Sequence, residues 1–426
     1  MTATPDAVVE ALADAHRREW AFVLAATVRV ARDLDLAEEC AQQAYVDALE
    51  SWRRTGVPDR PGAWLTSTAR RRAVDRIRRD VTLRRKLPLL VEPVEAPEEP
   101  AMAGDDEAVP DDRLRLLFTC CHPALDPAGR VALTLRLVCG VATPDVARAF
   151  LVPEPTMAAR ITRAKKKIAQ ARIPYRTPTA AELPERLDSV LTTVHLLFST
   201  GHTAPTGGQL VRDDLCERAL ELARTLVQLL PAERETRGLL GLLLLSHARR
   251  TTRLDAQGRL VQLENQDRQQ WDHLMIAEGL RWTVESLQPA GPGRFALQAA
   301  VAGAHAVAPT FAATDWARVV HLYDLLLAVE PSPVVELNRA AALAFAEGPA
   351  AALKIVERLA GEAQLRWYPY LHAIRADLLR RLGRGNEATG AYRAALDLTA
   401  NEAERDFLKR RLSDLDPAAA TREPES

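Results

Sequence analysis

The residues best suited to chemistry are Cys120, Cys121 and His122, which are adjacent in the chain. Thiolates and imidazole are zinc ligands, but a structural zinc site needs four donors, and neighbouring side chains on a helix diverge. No second CxxC or HxxxH supplies the missing ligands, so the trio reads as buried packing. The glycine-rich stretch 201–208 resembles a phosphate cradle only loosely. It has no Lys-Ser/Thr ending and no preceding strand, and reads as a loop between helices. His195, His247, His273, His305, His321 and His372 fall on separate predicted helices. No nucleophile–base pair or carboxylate pair assembles from them. The expectation is no enzyme, no metal and no cofactor.

What remains is charge, and its placement along the chain. The 426 residues carry a net charge of −1, with 47% hydrophobic and 27% charged residues. That is globular composition, long enough for two to four domains. Residues 70–86 hold nine basic and two acidic residues, and 160–176 hold seven basic and none acidic. Between them, 88–112 carries nine acidic residues, five prolines and no Lys or Arg. Such a segment cannot bury enough apolar surface to fold and reads as a flexible linker.

Helices must present these charges. In LDLAEECAQQAYVDALESW, Leu36, Cys40, Ala44, Ala48 and Trp52 recur every four residues on one face, leaving Glu38, Glu39, Gln42 and Gln43 on others. A Gly- and Pro-containing loop follows. In AWLTSTARRRAVDRIRRDV, Trp64, Ala69, Ala73 and Ile77 form the apolar face, and Arg70, Arg71, Arg72, Arg76, Arg78 and Arg79 crowd the rest. Guanidinium groups match phosphate geometry.

The second basic element, GVATPDVARAFLVPEPTMAARITRAKKKIAQAR, reads as a helix-turn-helix. Thr143 and Pro144 open the first helix, 151–153 make the turn, and Met157, Ile161, Ala164 and Ile168 anchor the second. Arg160, Arg163, Lys165, Lys166 and Lys167 are then expected to face outward, as a helix entering the major groove requires.

Beyond about residue 178, alanine and leucine dominate with no strand-like alternation. Two units of 34 residues begin at Asp315 and Pro349, and a third begins near Gly383. Each reads as two helices joined by a turn, a period that resembles tetratricopeptide repeats. Asp267, Arg268, Trp271 and Asp272 read as an internal polar and aromatic knot.

With these segments in order, residues 10 to about 175 resemble the two domains of an extracytoplasmic-function sigma factor of the sigma-70 superfamily. The C-terminal part is similar to the tetratricopeptide-like extension of one subgroup. The resemblance implies an all-α fold in four parts: sigma region 2 at 8–87, the acidic linker at 88–112, the region 4 helix-turn-helix at 113–176, and an all-helical extension at 183–415. It implies core RNA polymerase and promoter DNA as partners, and a regulatory extension contacting the sigma domains or a regulatory protein. Asp35, Glu38, Glu39, Gln42 and Gln43 fall where the family binds core polymerase, with Gln43 where a Glu is common. The loop 53–62 falls where a flipped base of the −10 element is captured, with Trp64, Arg70, Arg71, Arg72, Arg76, Arg78 and Arg79 holding that element. Thr156, Ala158, Ala159, Arg160, Arg163, Lys165, Lys166 and Lys167 fall on the helix meeting the −35 element. Ala158 and Ala159 stand where polar residues are frequent, so shape or methyl contacts are expected to carry more of the readout.

Two rival functions fit parts of the chain. A helix-turn-helix regulator with a protein-sensing domain leaves the acidic–glutamine helix at 34–52 unexplained. A tetratricopeptide scaffold leaves the arrangement of residues 1–175 unexplained. The N-terminal sequence has no signal-peptide pattern, and the longest apolar stretch, 239–245, is too short to span a bilayer. A cytoplasmic protein without membrane contact is expected, and the five scattered cysteines read as reduced thiols.

Overall fold

Helix starts are written into the chain by short polar side chains. Asp33, Asp126, Asp272, Asp315 and Asn401 each accept a hydrogen bond from a backbone N–H in the following turn, satisfying a donor the helix leaves orphaned. Proline in the first turn, where no N–H is needed, marks four further starts, at Glu154, Pro333, Pro349 and Pro369.

The structure, a computed structural model, describes residues 5–86, 112–150, 152–204, 210–287 and 291–415. Among them the fold is all-α; the only extended pairing is an isolated bridge between Leu254 and Leu260. The chain divides into two compact units, residues 1–193 and 194–426.

The first unit contains α1 (Pro5–Ala31), α2 (Leu34–Thr55), α3 (Pro61–Lys86), α4 (Asp112–Cys120), α5 (Pro127–Leu133), a π turn (Thr134–Val138), α6 (Thr143–Phe150), α7 (Glu154–Gln170) and the start of α8 (Leu183–His202). Helices α1, α2 and α3 pack on one another, and α1 also packs on α4 and the π turn. Trp20, Leu24, Trp52, Leu65, Ala69 and Ala73 are buried. The small residues on α2 and α3 let the helix axes approach. The first part of α8 belongs to this unit: Arg186 donates to the Phe118 carbonyl at 2.5 Å and Ser189 to the Cys121 carbonyl at 2.6 Å.

The second unit continues through α9 (Asp213–Leu229), α10 (Arg234–His247), α11 (His273–Ser286), α12 (Arg294–Val307), α13 (Trp316–Val329), α14 (Pro333–Ala346), α15 (Pro349–Leu359), α16 (Pro369–Arg381), α17 (Gly385–Leu398) and α18 (Glu402–Ser413). Each helix from α12 onward packs on the next. The units beginning at Asp315 and Pro349 each hold one helix pair, α13–α14 and α15–α16. Between α10 and α11 the chain runs through three short 3-10 turns, Arg250–Thr252, Leu263–Asn265 and Arg268–Gln270, where the Trp271 ring N–H donates to Thr252 Oγ1 at 2.9 Å and Arg268 lies over the Trp271 ring. At Gly238 a Cβ would stand 2.6 Å from the Ala296 backbone nitrogen, so α10 and α12 approach as only glycine permits. The linker proposed at 88–112 lies outside the described residues except for Asp112, which opens α4.

Candidate nucleic-acid interface

Three helices carry the residues singled out by the sequence. On α2, Asp35, Glu39, Gln42 and Gln43 are exposed, while Cys40, Ala44, Ala48 and Trp52 are buried against α1 and α3. Glu38 departs from its neighbours: its side chain is 10% exposed. A carboxylate buried to that depth needs hydrogen-bond donors around it. Glu38 has them: Lys165 Nζ lies 2.6 Å from Oε2, Arg136 pairs with Oε1, and Gln42 Nε2 donates to Oε1 at 3.2 Å.

Lys165 comes from the centre of α7, and its ammonium also lies 2.7 Å from Asp35 Oδ1. Its side chain is 10% exposed. Burial works against its charge, but the bonds to Asp35 and Glu38 outweigh that and hold its pKa above the usual lysine value. The helix that carries these cations therefore turns one of them onto the acidic face of α2. In this state Lys165 does not face outward as its sequence position suggests. Arg163, Lys166 and Lys167 are exposed, with Thr156, Ala158 and Ala159 beside them. Arg160 is half-buried, its guanidinium 5.5 Å from the Phe150 ring centre. Met157, Ile161, Ala164 and Ile168 form the buried anchor.

On α3, Arg71, Arg76, Arg78 and Arg79 are exposed and Arg70 half-buried. Arg72 is committed to α2, where Nε and Nη2 grip Asp47 at 2.6 and 2.5 Å. Such a fork fixes the angle between the two helices as well as a charge. Arg76 lies 3.8 Å from Glu39. Trp64 meets Trp52 edge-to-face with ring centres 5.7 Å apart, so it stands at the α2–α3 seam beside the loop that starts at Gly56.

The α2–α7 ion cluster is reinforced by contacts that local sequence patterns give no sign of. Trp20 on α1 donates from its ring N–H to the Leu137 carbonyl at 3.0 Å, and its ring packs on His16 and Tyr45. Gly140 closes the π turn with φ of +67°, and a Cβ there would meet Trp20 at 2.8 Å and His16 at 2.9 Å. Tyr175 donates to the Ala25 carbonyl at 2.9 Å, and Arg29 lies 3.8 Å from Asp112. Residues 15–82 and 115–175 are thus held together by a buried salt-bridge cluster, two aromatic hydrogen bonds and a glycine that admits an indole ring.

Comparison with known proteins matches three stretches of the chain to families. Residues 15–82 match the family Sigma-70 region 2, residues 115–168 match Sigma-70, region 4, and residues 186–287 match a family of unknown function, DUF6596. An uncharacterized protein of Rhizobium meliloti (strain 1021) is 43% identical over 401 residues, which cover 93% of this chain and 94% of that protein. No solved structure matches. The chain belongs to the sigma factors, as an extracytoplasmic-function-like member with a C-terminal extension, and so to the proteins of transcription initiation. No helix among the described residues is long and apolar enough to cross a membrane.

Proposed function

We propose that this protein is the promoter-recognising subunit of a cytoplasmic RNA polymerase holoenzyme, and that the free chain keeps its polymerase-binding helix closed against its −35 helix. In this reading Asp35, Glu38, Glu39, Gln42 and Gln43 meet core polymerase. The exposed arginines of α3, with Trp64, take the −10 element. Residues Thr156 to Lys167 of α7 take the −35 element. The observation that carries the closed state is Lys165, one residue of the DNA-binding set, bonded to two residues of the polymerase-binding set. Neither surface is complete while that bond stands, so binding core enzyme requires it to open.

The reading is tested by adding the full chain to core polymerase in run-off transcription from candidate promoters. Promoter-dependent product and co-purification with core enzyme are the expected results. Tight duplex binding without polymerase binding favours the helix-turn-helix regulator instead.

The extension is proposed to regulate these two domains in cis, tethered to them at high effective concentration. The truncation that tests this must keep α8, because Arg186 and Ser189 complete the hydrogen bonding of α4 and its C-terminal turn. A chain ending near residue 204 is expected to differ from the full chain in transcription. Equal transcription by the two refutes a regulatory extension.

A further inference from the structure

The second unit keeps a space open where its helices could have closed. Short residues of α14 and α16, among them Ala341, Ala344, Pro369 and Ala373, line one part of a cavity of about 310 Å³, and longer side chains of α17 and α18 line another. Packed interiors leave few voids larger than a water molecule, so room on this scale is a built feature of the helical array. The remaining walls are largely apolar, with Ile374, Tyr392, Phe407 and Leu408 beside Leu260 from the segment between α10 and α11. Tyr392 and Leu408 belong to the buried core of this region, and Ile374 and Phe407 pack on it. Two further wall residues, Phe345 and Tyr370, are 40% and 39% exposed, so part of the aromatic lining is within reach of solvent.

Three charged side chains line the cavity, and each is already answered inside the protein. Asp377 accepts from Arg380 at 2.6 Å. Arg381 donates to the Ala344 carbonyl at 2.9 Å, and its guanidinium lies 4.6 Å from the Phe345 ring centre. Glu404 accepts from the Tyr370 hydroxyl at 2.6 Å through Oε1, with Arg253 as its counter-charge. A charged ligand would upset this balance, whereas a neutral one leaves it standing. One acceptor stays open: Oε2 of Glu404 takes no hydrogen bond among the described residues. A partly desolvated carboxylate gains from a further donor.

We propose that this cavity binds a small neutral molecule with a flat apolar body and one O–H or N–H donor, the body against Phe345, Tyr370 and Phe407 and the donor on Glu404 Oε2. Its volume lies at the lower end of small-ligand sites, roughly 300–1,000 Å³, and its lining has their usual form, mostly apolar and aromatic with few polar groups. A helix about 10 Å across does not fit such a space. The aromatic walls supply contact area, and the single open acceptor supplies selectivity. The site lies wholly within the second unit and is independent of the sigma-factor reading, since binding alone tests it.

The test is calorimetric titration of the full-length protein at neutral pH with four probes that share one ring system: 2-naphthol, its methyl ether, 2-naphthoate and 2-naphthylmethylammonium. The neutral donor, 2-naphthol, is expected to bind about tenfold tighter than the methyl ether, the factor carried by a hydrogen bond to a charged group. Both ions are expected to bind more weakly than 2-naphthol. Glu404→Gln keeps the shape and an acceptor for Tyr370 but turns the open acceptor into a donor, so it should erase the preference for 2-naphthol over its ether. Ala373→Trp fills the cavity and should abolish binding of both neutral probes with the helical circular dichroism unchanged; if that variant fails to fold, Glu404→Gln still decides. No binding of 2-naphthol overturns the proposal, as does tighter binding of either ion. Equal binding of naphthol and ether by the unmodified protein also overturns it. So does a naphthol preference that survives Glu404→Gln, since the donor then rests elsewhere.

Discussion

Replacing Lys165 by Met keeps the aliphatic stem that packs α7 on α2 and removes the charge that joins Asp35 to Glu38. Removing one partner of a buried ion pair costs about 3–5 kcal/mol when the other charge is stranded. Glu38 is not fully stranded, because Arg136 and Gln42 remain, and Asp35 is 75% exposed and contributes little. A loss of about 2 kcal/mol from the closed state is therefore expected, a shift of about 30-fold toward the open one. If the open form alone binds core polymerase, apparent affinity scales with its population, and the variant should bind core enzyme up to about 30-fold tighter. Binding is measured without DNA, so that a lost phosphate contact cannot enter. In parallel, dyes at Val46→Cys and Lys166→Cys, both exposed positions, report the α2–α7 distance. Labelling should be selective because all five native cysteines are buried and burial raises the thiol pKa of Cys40, Cys120, Cys121 and Cys216. Unchanged energy transfer with unchanged core affinity refutes the closed state, and weaker core binding assigns Lys165 to the polymerase contact instead.

Gly140→Ala should open the same interface by a different route. Its Cβ meets Trp20 at 2.8 Å in a left-handed backbone conformation, at an expected cost of about 1–3 kcal/mol, read as a lower chemical-denaturation midpoint. Gly238→Ala should destabilise the second unit, because the obstructing atoms are the Ala296 backbone rather than a movable side chain; a well-formed protein with an unchanged midpoint contradicts that packing. Removing the Arg72 fork by Arg72→Ala should weaken α2–α3 packing, and Asp47→Ala in the same background should add little, since the pair acts as one. Burial lowers His195 and His305 to about 4 in the folded chain, with neighbouring arginines adding to the effect. The unfolded chain then binds protons at higher pH than the folded one. Stability is full above about pH 6.5 and declines as pH falls toward 4, by up to about 3 kcal/mol per histidine; thermal melts across that range check it, and a flat profile counts against these buried rings.

The helical character of the described residues was legible because four-residue apolar spacing, aspartate and asparagine caps and first-turn prolines act within one or two turns. The two basic helices and the helix-turn-helix anchor of Met157, Ile161, Ala164 and Ile168 were legible for the same reason: a buried stripe and a charged stripe on one helix are local facts. Nothing local separates Glu38 from Glu39, or Lys165 from Lys166, yet one of each pair is buried and bonded while the other faces solvent. Which side of α7 meets α2 depends on where α1 and the π turn sit, and so on Trp20 reaching Leu137 across 117 residues of chain. Arg253 likewise looks like an ordinary surface charge in sequence, and only the fold brings it to the His202 carbonyl, 51 residues away. The sequence by itself determined which surfaces are charged and which elements carry them. The tertiary structure decided which of those charges face each other, because an ion pair depends on distance in space and chain order does not set that distance.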